Sequence, residues 1–91
     1  MGSWLGVDVH GWTGKGEGGK IITYRFLVII EKAKENYSAY SPDLPGCVAT
    51  GATREEVERN MHKAIEMHVQ GLLEDNLPVP QSSSFAEYIT V

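Results

Sequence analysis

The sequence predicts an α+β fold, a small domain in which one long helix packs on one face of a mostly antiparallel sheet. Three observations predict it. Residues 21–31 are mostly apolar, above all in their second half, as in a central strand, and two shorter strand-like segments follow at 37–40 and 47–50. A helix then begins after Thr53 with a recognisable cap. The predicted order of elements is β-β-β-α-β.

Residues 1–20 differ in composition from the rest of the chain because glycine recurs throughout them. Glycine loses more conformational freedom on folding than any other residue, so a stretch this rich in glycine is costly to order. We therefore predict a flexible or weakly attached arm over residues 1–20 and a folded domain over residues 21–91. The tryptophans of this stretch argue the other way, and the segment from Trp4 to Val9 could instead add an edge strand or contact a neighbouring subunit.

The first predicted strand, residues 21–31, gives the strongest strand signal. Its alternate positions place these residues on one face: Ile22, Tyr24, Phe26, Val28 and Ile30. The other face begins polar and becomes apolar at Leu27 and Ile29, which predicts a central strand covered on both sides. The polar residues 32–36 predict a hairpin loop, and the third strand is predicted to end at Gly51.

The predicted helix has a start signal and a buried stripe. Thr53 can cap the first turn while the Glu56 side chain reaches back to the Thr53 amide. The residues that recur at helical spacing define the stripe: Val57, Met61, Ala64, Ile65, His68 and Leu72.

The helix is predicted to end at Asn76, a residue that accepts the left-handed conformation found at helix ends. Pro78 and Pro80 then prevent continuation. Residues 85–91 read as a final strand, and its predicted buried residues are Tyr88 and Ile89.

The segment from Ser41 to Cys47 carries the candidate site. Its two prolines fix φ and exclude helix, and Gly46 lets the backbone turn where a side chain would clash. We predict a rigid loop that contacts a partner through Tyr40, Pro42, Asp43, Leu44 and Pro45. The alternative is a rigid turn that only sets the strand register. Asp43 could likewise contact a partner or accept hydrogen bonds from backbone N–H groups.

Charge and cysteine content narrow the class of protein. The chain has 91 residues, 42% of them hydrophobic, so it forms one domain with a thin core, and pairing into a homo-oligomer is expected. A net charge of −4 argues against direct nucleic-acid binding and suits a basic partner.

A lone cysteine, Cys47, cannot form an internal disulfide. No membrane helix or signal sequence is visible, and we expect a cytoplasmic protein.

Known catalytic and metal-binding patterns do not fit this sequence. His62 and His68 lie on different sides of the predicted helix, and His10 lies in the glycine-rich stretch, so no metal site is predicted. Asp43 has no second carboxylate beside it in its loop, and nothing places a histidine next to Cys47. We expect neither a cofactor nor an enzyme.

An ordered set of motifs resembles the N-terminal domain of the HicB family of antitoxins. The matching residues are Tyr37 and Ala39, the turn Pro42-Asp43-Leu44-Pro45-Gly46-Cys47, then Ala49, Gly51, Thr53, Glu55, Asn60, Ala64, Ile65 and the closing Leu77-Pro78-Val79-Pro80. Within this part of the chain, the residues that we expect to have a structural role, as distinct from contact with a partner, are Gly46, Cys47, Gly51, Thr53, Glu56, Asn60, Pro78 and Pro80.

The resemblance implies a HicB-like fold, similar to a trimmed ribonuclease H sheet, and a function. Members of that family bind HicA-type toxins, small basic proteins that cleave mRNA, and the resemblance implies inhibition by occlusion. Many members continue into a DNA-binding domain, whereas this chain stops at Val91, so direct DNA binding is not expected. The alternative is a small homo-oligomeric module that binds a protein or metabolite and has no toxin partner.

Overall fold

The computed structural model describes residues 2–13 and 20–91, with side chains described for residues 2–11 and 22–91. The elements are β1 (Gly2–Thr13), β2 (Lys20–Lys32), β3 (Tyr37–Tyr40), β4 (Val48–Gly51) and α1 (Arg54–Glu74). The four strands form one sheet in the order β1-β2-β3-β4, and every neighbouring pair is antiparallel. An antiparallel sheet with one long helix confirms the predicted α+β class.

The described part of the predicted flexible arm is instead the edge strand β1. It pairs with β2 without interruption from Gly2 opposite Glu31 to Thr13 opposite Lys20. Val7 and Val9 are buried in the core, because alternate apolar side chains on one face gain more from burial than the glycines lose on ordering. The prediction of an arm is therefore wrong for residues 2–13, and the edge-strand alternative is correct. Residues 14–19 lie outside the described residues.

The central strand β2 buries side chains on both faces, as its sequence predicts. Phe26, Val28 and Ile30 join the core. Leu27 is buried on the opposite face. Ile22, on the same face as Phe26, is 37% exposed. It lies at the end of β2 that extends beyond β3, which pairs only with residues 29–32.

Helix α1 begins at the predicted cap. The Thr53 hydroxyl accepts a hydrogen bond from the Glu56 N–H at 3.1 Å, which confirms the cap. The Glu56 carboxylate reaches back as expected, but it accepts from the Ala52 N–H at 3.4 Å and not from the Thr53 amide.

The buried stripe of α1 follows steps of four residues. It consists of Val57, Met61, Ile65 and Val69. His68, which the sequence placed in the stripe, is exposed, because the third step of four residues falls on Val69. The prediction was wrong at that residue and correct at the first turns.

Asn76 ends the helical region with φ of 57°, the left-handed conformation expected for it. The Asn76 N–H donates to the Leu73 carbonyl at 3.2 Å, and the Leu77 N–H donates to the Leu72 carbonyl at 2.8 Å. These two bonds are the pair expected for a left-handed helix end.

The predicted final strand is absent from the structure, in which residues 78–91 belong to neither a strand nor a helix. Phe85, Tyr88 and Ile89 are largely exposed, so the prediction of buried Tyr88 and Ile89 is wrong. Both neighbouring positions of the central strand β2 are already filled, by β1 and β3. The segment lies instead near the sheet, where the Tyr88 ring centroid is 6.5 Å from that of Trp4.

Candidate functional site

The loop between β3 and β4 is held by its own backbone. The Leu44 N–H donates to the Ser41 carbonyl at 3.2 Å, and the Cys47 N–H donates to the Leu44 carbonyl at 3.1 Å. Gly46 has φ of 84°, a conformation that residues with a side chain rarely adopt. Two successive turns and two prolines give this loop little conformational freedom before any partner arrives.

Leu44 is the apolar anchor of the loop. Its exposed fraction is 0%, and it belongs to the core together with Val57 and Met61 of α1. Cys47 is buried as well, and burial raises the pKa of its thiol, which disfavours the reactive thiolate. Leu44 was one of the predicted contact residues, but in this structure it has no surface to offer a partner.

Asp43 is a structural clamp. Its Oδ2 accepts hydrogen bonds from the Leu27 N–H of β2 at 3.1 Å and from the Ser82 hydroxyl at 2.9 Å. Its Oδ1 accepts from the Ser83 N–H at 3.3 Å. The carboxylate therefore joins the loop, the central strand and the C-terminal segment, and it accepts backbone N–H bonds as one of the two interpretations predicted.

The pKa of the Asp43 carboxyl reflects two opposing effects. Burial raises this pKa, since a charged group loses hydration. The hydrogen bonds from Leu27, Ser82, Ser83 and the Ser84 side chain favour the charged form, and together they hold the pKa below its ordinary value. Asp43 is thus an ionised carboxylate whose oxygens are already engaged by the protein itself.

The exposed part of the site consists of four side chains, Tyr40, Pro42, Pro45 and Val48, which we name the proline-loop surface. Tyr40 is 42% exposed and Val48 is 65% exposed. The two lie directly opposite each other on β3 and β4, so their side chains share the sheet face away from α1. Sequence analysis missed Val48, although the antiparallel register places it beside the predicted Tyr40.

Other motif residues fix the helix against β4. Asn60 of α1 donates from Nδ2 to the Thr50 carbonyl of β4 at 2.8 Å. Gly51 lies so close to the helix that a Cβ there would be 2.6 Å from the Val57 nitrogen. Thr53 and Glu56 form the helix cap, while Pro78 and Pro80 follow the left-handed Asn76. Asn60, Gly51 and the Thr53 cap therefore fix the position of α1 against β4.

The histidines are dispersed in the structure. His62 is 2.8 Å from the Glu66 carboxylate along the helix, and His10 Nδ1 is 2.9 Å from the Thr23 hydroxyl on the hairpin. Within the described residues, no cluster of three or more histidine, cysteine, aspartate or glutamate side chains could hold a metal ion. No helix in the described part of the chain has the length and apolar character needed to cross a membrane.

The fold and the loop define a small α+β protein with a rigid, partly apolar surface and an acidic net charge. Comparison with protein families identifies it further. A family described as HicB-like antitoxin of bacterial toxin–antitoxin systems matches residues 26–91, and the chain belongs to this family. The match includes the loop, β3, β4 and α1, but it excludes β1 and the first residues of β2.

Curated relatives come from viruses, bacteria and archaea. An uncharacterised 14.9 kDa protein of Haemophilus phage HP1 is 39% identical over 70% of this chain and 48% of the relative. A UPF0150 protein of Synechocystis is 32% identical over 75% of this chain and 87% of the relative. A UPF0150 protein of Thermoplasma acidophilum is 35% identical over 74% of this chain and 96% of the relative.

The alignment covers about half of the phage protein but nearly all of the archaeal protein. No solved structure matches this chain.

Proposed function

We propose that this protein is an antitoxin that binds a small, basic, mRNA-cleaving toxin of the HicA type and occludes its RNA-binding surface. The family match over residues 26–91 carries the proposal. It includes all four residues of the proline-loop surface. A toxin partner is the general expectation for an antitoxin of this family, and the HicA type is the specific proposal.

The physical properties of the chain support binding to a basic protein. Its net charge of −4 opposes that of a basic toxin, and opposite charges raise the rate of encounter. Tyr40 and Val48 supply exposed apolar contact area, and aromatic side chains often dominate the energy of protein interfaces. Because the loop is already rigid, binding does not need to order it.

We further propose that inhibition proceeds by steric coverage, with no chemical step on this protein. Asp43, the acidic residue of the loop, directs both carboxylate oxygens at partners within the chain. It supports the loop that would contact the toxin. The inhibitor would act in the cytoplasm, where the mRNA that the toxin cleaves is found.

Two matched lysine variants test the proposed surface. Val48→Lys places a positive charge on the proline-loop surface, whereas Met67→Lys makes the same change at an equally apolar position, 74% exposed, on α1. Each variant is co-expressed with the protein encoded by the adjacent reading frame, for which we expect a small basic toxin, and co-purification and RNase activity are measured. We expect Val48→Lys to lose the complex and release RNase activity, while Met67→Lys retains inhibition.

The same experiment can contradict the proposal at two levels. If Met67→Lys abolishes the complex and Val48→Lys does not, the helix is the toxin-binding surface. If the unmodified chain binds no basic neighbour and inhibits no RNase, the antitoxin function is wrong. The protein would then be better described as a homo-oligomeric module that binds another protein or a metabolite.

A further inference from the structure

The outer edge of β1 is long, regular and unpaired among the described residues. The strand has 12 residues, and β2 is its neighbour on one side only. Its register with β2 advances one residue at a time from Gly2 to Thr13, with no bulge. Among the described residues, no backbone hydrogen bond from a turn, loop or cap reaches β1.

The clamp at Asp43 shows which backbone groups of β1 face this open edge. In an antiparallel pair, two opposite residues either bond to each other or point their N–H and C=O groups away from each other. Leu27 lies opposite Gly6, yet its N–H donates to Asp43 in the loop that follows β3. The pair therefore belongs to the second kind, and Gly6 directs its own N–H and C=O outward.

Along a strand, the backbone N–H and C=O groups of successive residues point to opposite edges, so the orientation of Gly6 fixes that of the other residues of β1. Trp4, Asp8 and His10 share the outward orientation of Gly6, because they are separated from it by even numbers of residues. Leu5, Val7 and Val9 direct their backbone groups toward β2. The open edge thus presents a row of alternating donors and acceptors along the whole strand.

Features that usually prevent edge pairing are missing from β1. Such strands are commonly short, bulged, or interrupted by proline or lysine. The sequence of β1 contains neither proline nor lysine, and Asp8 is its one acidic residue. Asp8 is itself neutralised by Arg25 of β2, with 3.0 Å between the two charged atoms.

We propose that β1 pairs in antiparallel fashion with β1 of a second copy of this chain, which joins the two sheets into one. A twofold axis would bring the same row of donors and acceptors together from both copies, so the edge is complementary to itself. Pairing would leave only the four-residue β4 at each outer edge, so the association would stop at two copies.

The second copy is a better occupant than the basic toxin. The acidic residue on β1 is already paired with Arg25, so this edge offers little attraction to a basic protein. The edge also lies at the opposite side of the sheet from Tyr40 and Val48, which leaves the proline-loop surface accessible in the dimer. Residues 2–13 lie outside the family match, so the proposed dimer depends on a strand that the match does not include.

A matched pair of substitutions at Asp8 separates backbone from side chain. Asp8→Ala removes the carboxylate and its ion pair but keeps the outward N–H, whereas Asp8→Pro removes the N–H as well. Proline is tolerated in edge strands where the missing N–H does not serve the neighbouring strand. Sedimentation velocity over a concentration series would measure dimerisation, with circular dichroism as the control for folding.

We expect the unmodified chain and Asp8→Ala to form dimers of similar affinity. The dimer dissociation constant of Asp8→Pro should rise about tenfold or more, because a symmetric pair loses two hydrogen bonds. Equal weakening by both substitutions would assign dimerisation to the side chain and overturn the proposal. So would an unmodified chain that stays monomeric at every concentration.

Amide exchange of the unmodified chain tests the proposal without relying on a variant that could misfold. In a monomer, Gly6 and Asp8 should exchange rapidly while Leu5, Val7 and Val9 are protected. In the proposed dimer all five amides are protected, and the protection of Gly6 and Asp8 grows with protein concentration. An alternating pattern that persists at high concentration contradicts edge pairing.

Discussion

The carboxylate of Asp43 accepts a hydrogen bond from the backbone N–H of Leu27 at 3.1 Å, although 16 residues separate the two in sequence. This bond takes up an N–H of the central strand at a position beyond the end of β3. The same carboxylate also holds Ser82 and Ser83, so one side chain supports the loop, the sheet and the C-terminal segment.

Replacing Asp43 with asparagine should destabilise the fold by about 1–3 kcal/mol at neutral pH, because charge-assisted bonds are lost and an amide NH₂ meets hydrogen-bond donors. Urea unfolding would measure the difference in the free energy of unfolding. Glu35→Gln, at an exposed position in the loop between β2 and β3, is the control and should change it little.

The effect of Asp43 should also depend on pH. Its pKa in the folded protein lies below the ordinary value of 3.8, so its stabilising contribution is complete above that ordinary value. The contribution is lost as the pH falls through the lower, folded-state pKa. The stability difference between the unmodified chain and Asp43→Asn should therefore shrink at acid pH. A difference that stays constant across the acid range would contradict this role.

Two glycines should respond to alanine in opposite directions. At Gly51 a Cβ would lie 2.6 Å from the Val57 nitrogen and 2.9 Å from its Cα, and these backbone atoms cannot move without shifting the helix. Gly51→Ala should therefore cost roughly 1–3 kcal/mol of folding free energy.

Gly71 is the matched control for this substitution. A Cβ there meets no described atom within 4 Å, and the residue lies inside α1. Gly71→Ala should stabilise the protein by up to about 1 kcal/mol, since alanine favours a helix. Chemical unfolding of both variants gives the two signs, and destabilisation by Gly71→Ala would show that the space beside it is occupied.

The bond from Asn60 to the Thr50 carbonyl predicts a smaller loss. Asn60→Ala removes this 2.8 Å bond between α1 and β4, and the free energy of unfolding should fall by about 1 kcal/mol. Gln70→Ala is the comparison, because its contact with Glu74 is longer, 3.4 Å, and exposed. Equal losses for the two variants would mean that the Asn60 bond does not tie the helix to the sheet.

The local signals in the sequence predicted local structure well. The cap at Thr53 and the helix end at Asn76 depend on residues a few positions apart, and both were correct. The prediction of a final strand was wrong for a reason that no local pattern contains. Residues 85–91 have a strand-like composition, but β1 occupies the place beside β2.

The candidate site was predicted at the level of the loop and not of the single side chain. The prolines and Gly46 indicated a rigid turn, as the structure has it. Nothing in the sequence distinguished Leu44, which points into the core, from Pro42 and Pro45, which are exposed. That distinction depends on where α1 packs. Val48 belongs to the site because the register of β3 and β4 places it opposite Tyr40, and the sequence does not fix that register.

Cys47 should report the opening of the loop. It is buried, and burial raises the pKa of its thiol, so reaction with a disulfide reagent requires both exposure and loss of a proton. We expect the folded protein to react at least about tenfold more slowly than the urea-unfolded chain at the same pH. Asp43→Asn should speed the reaction of the folded protein, because loss of the charge weakens the hydrogen bonds that hold the loop to Leu27. Two results would contradict the role of Asp43 as the clamp of this loop. One is a thiol that reacts at the unfolded rate without denaturant, and the other is a reaction rate that Asp43→Asn leaves unchanged.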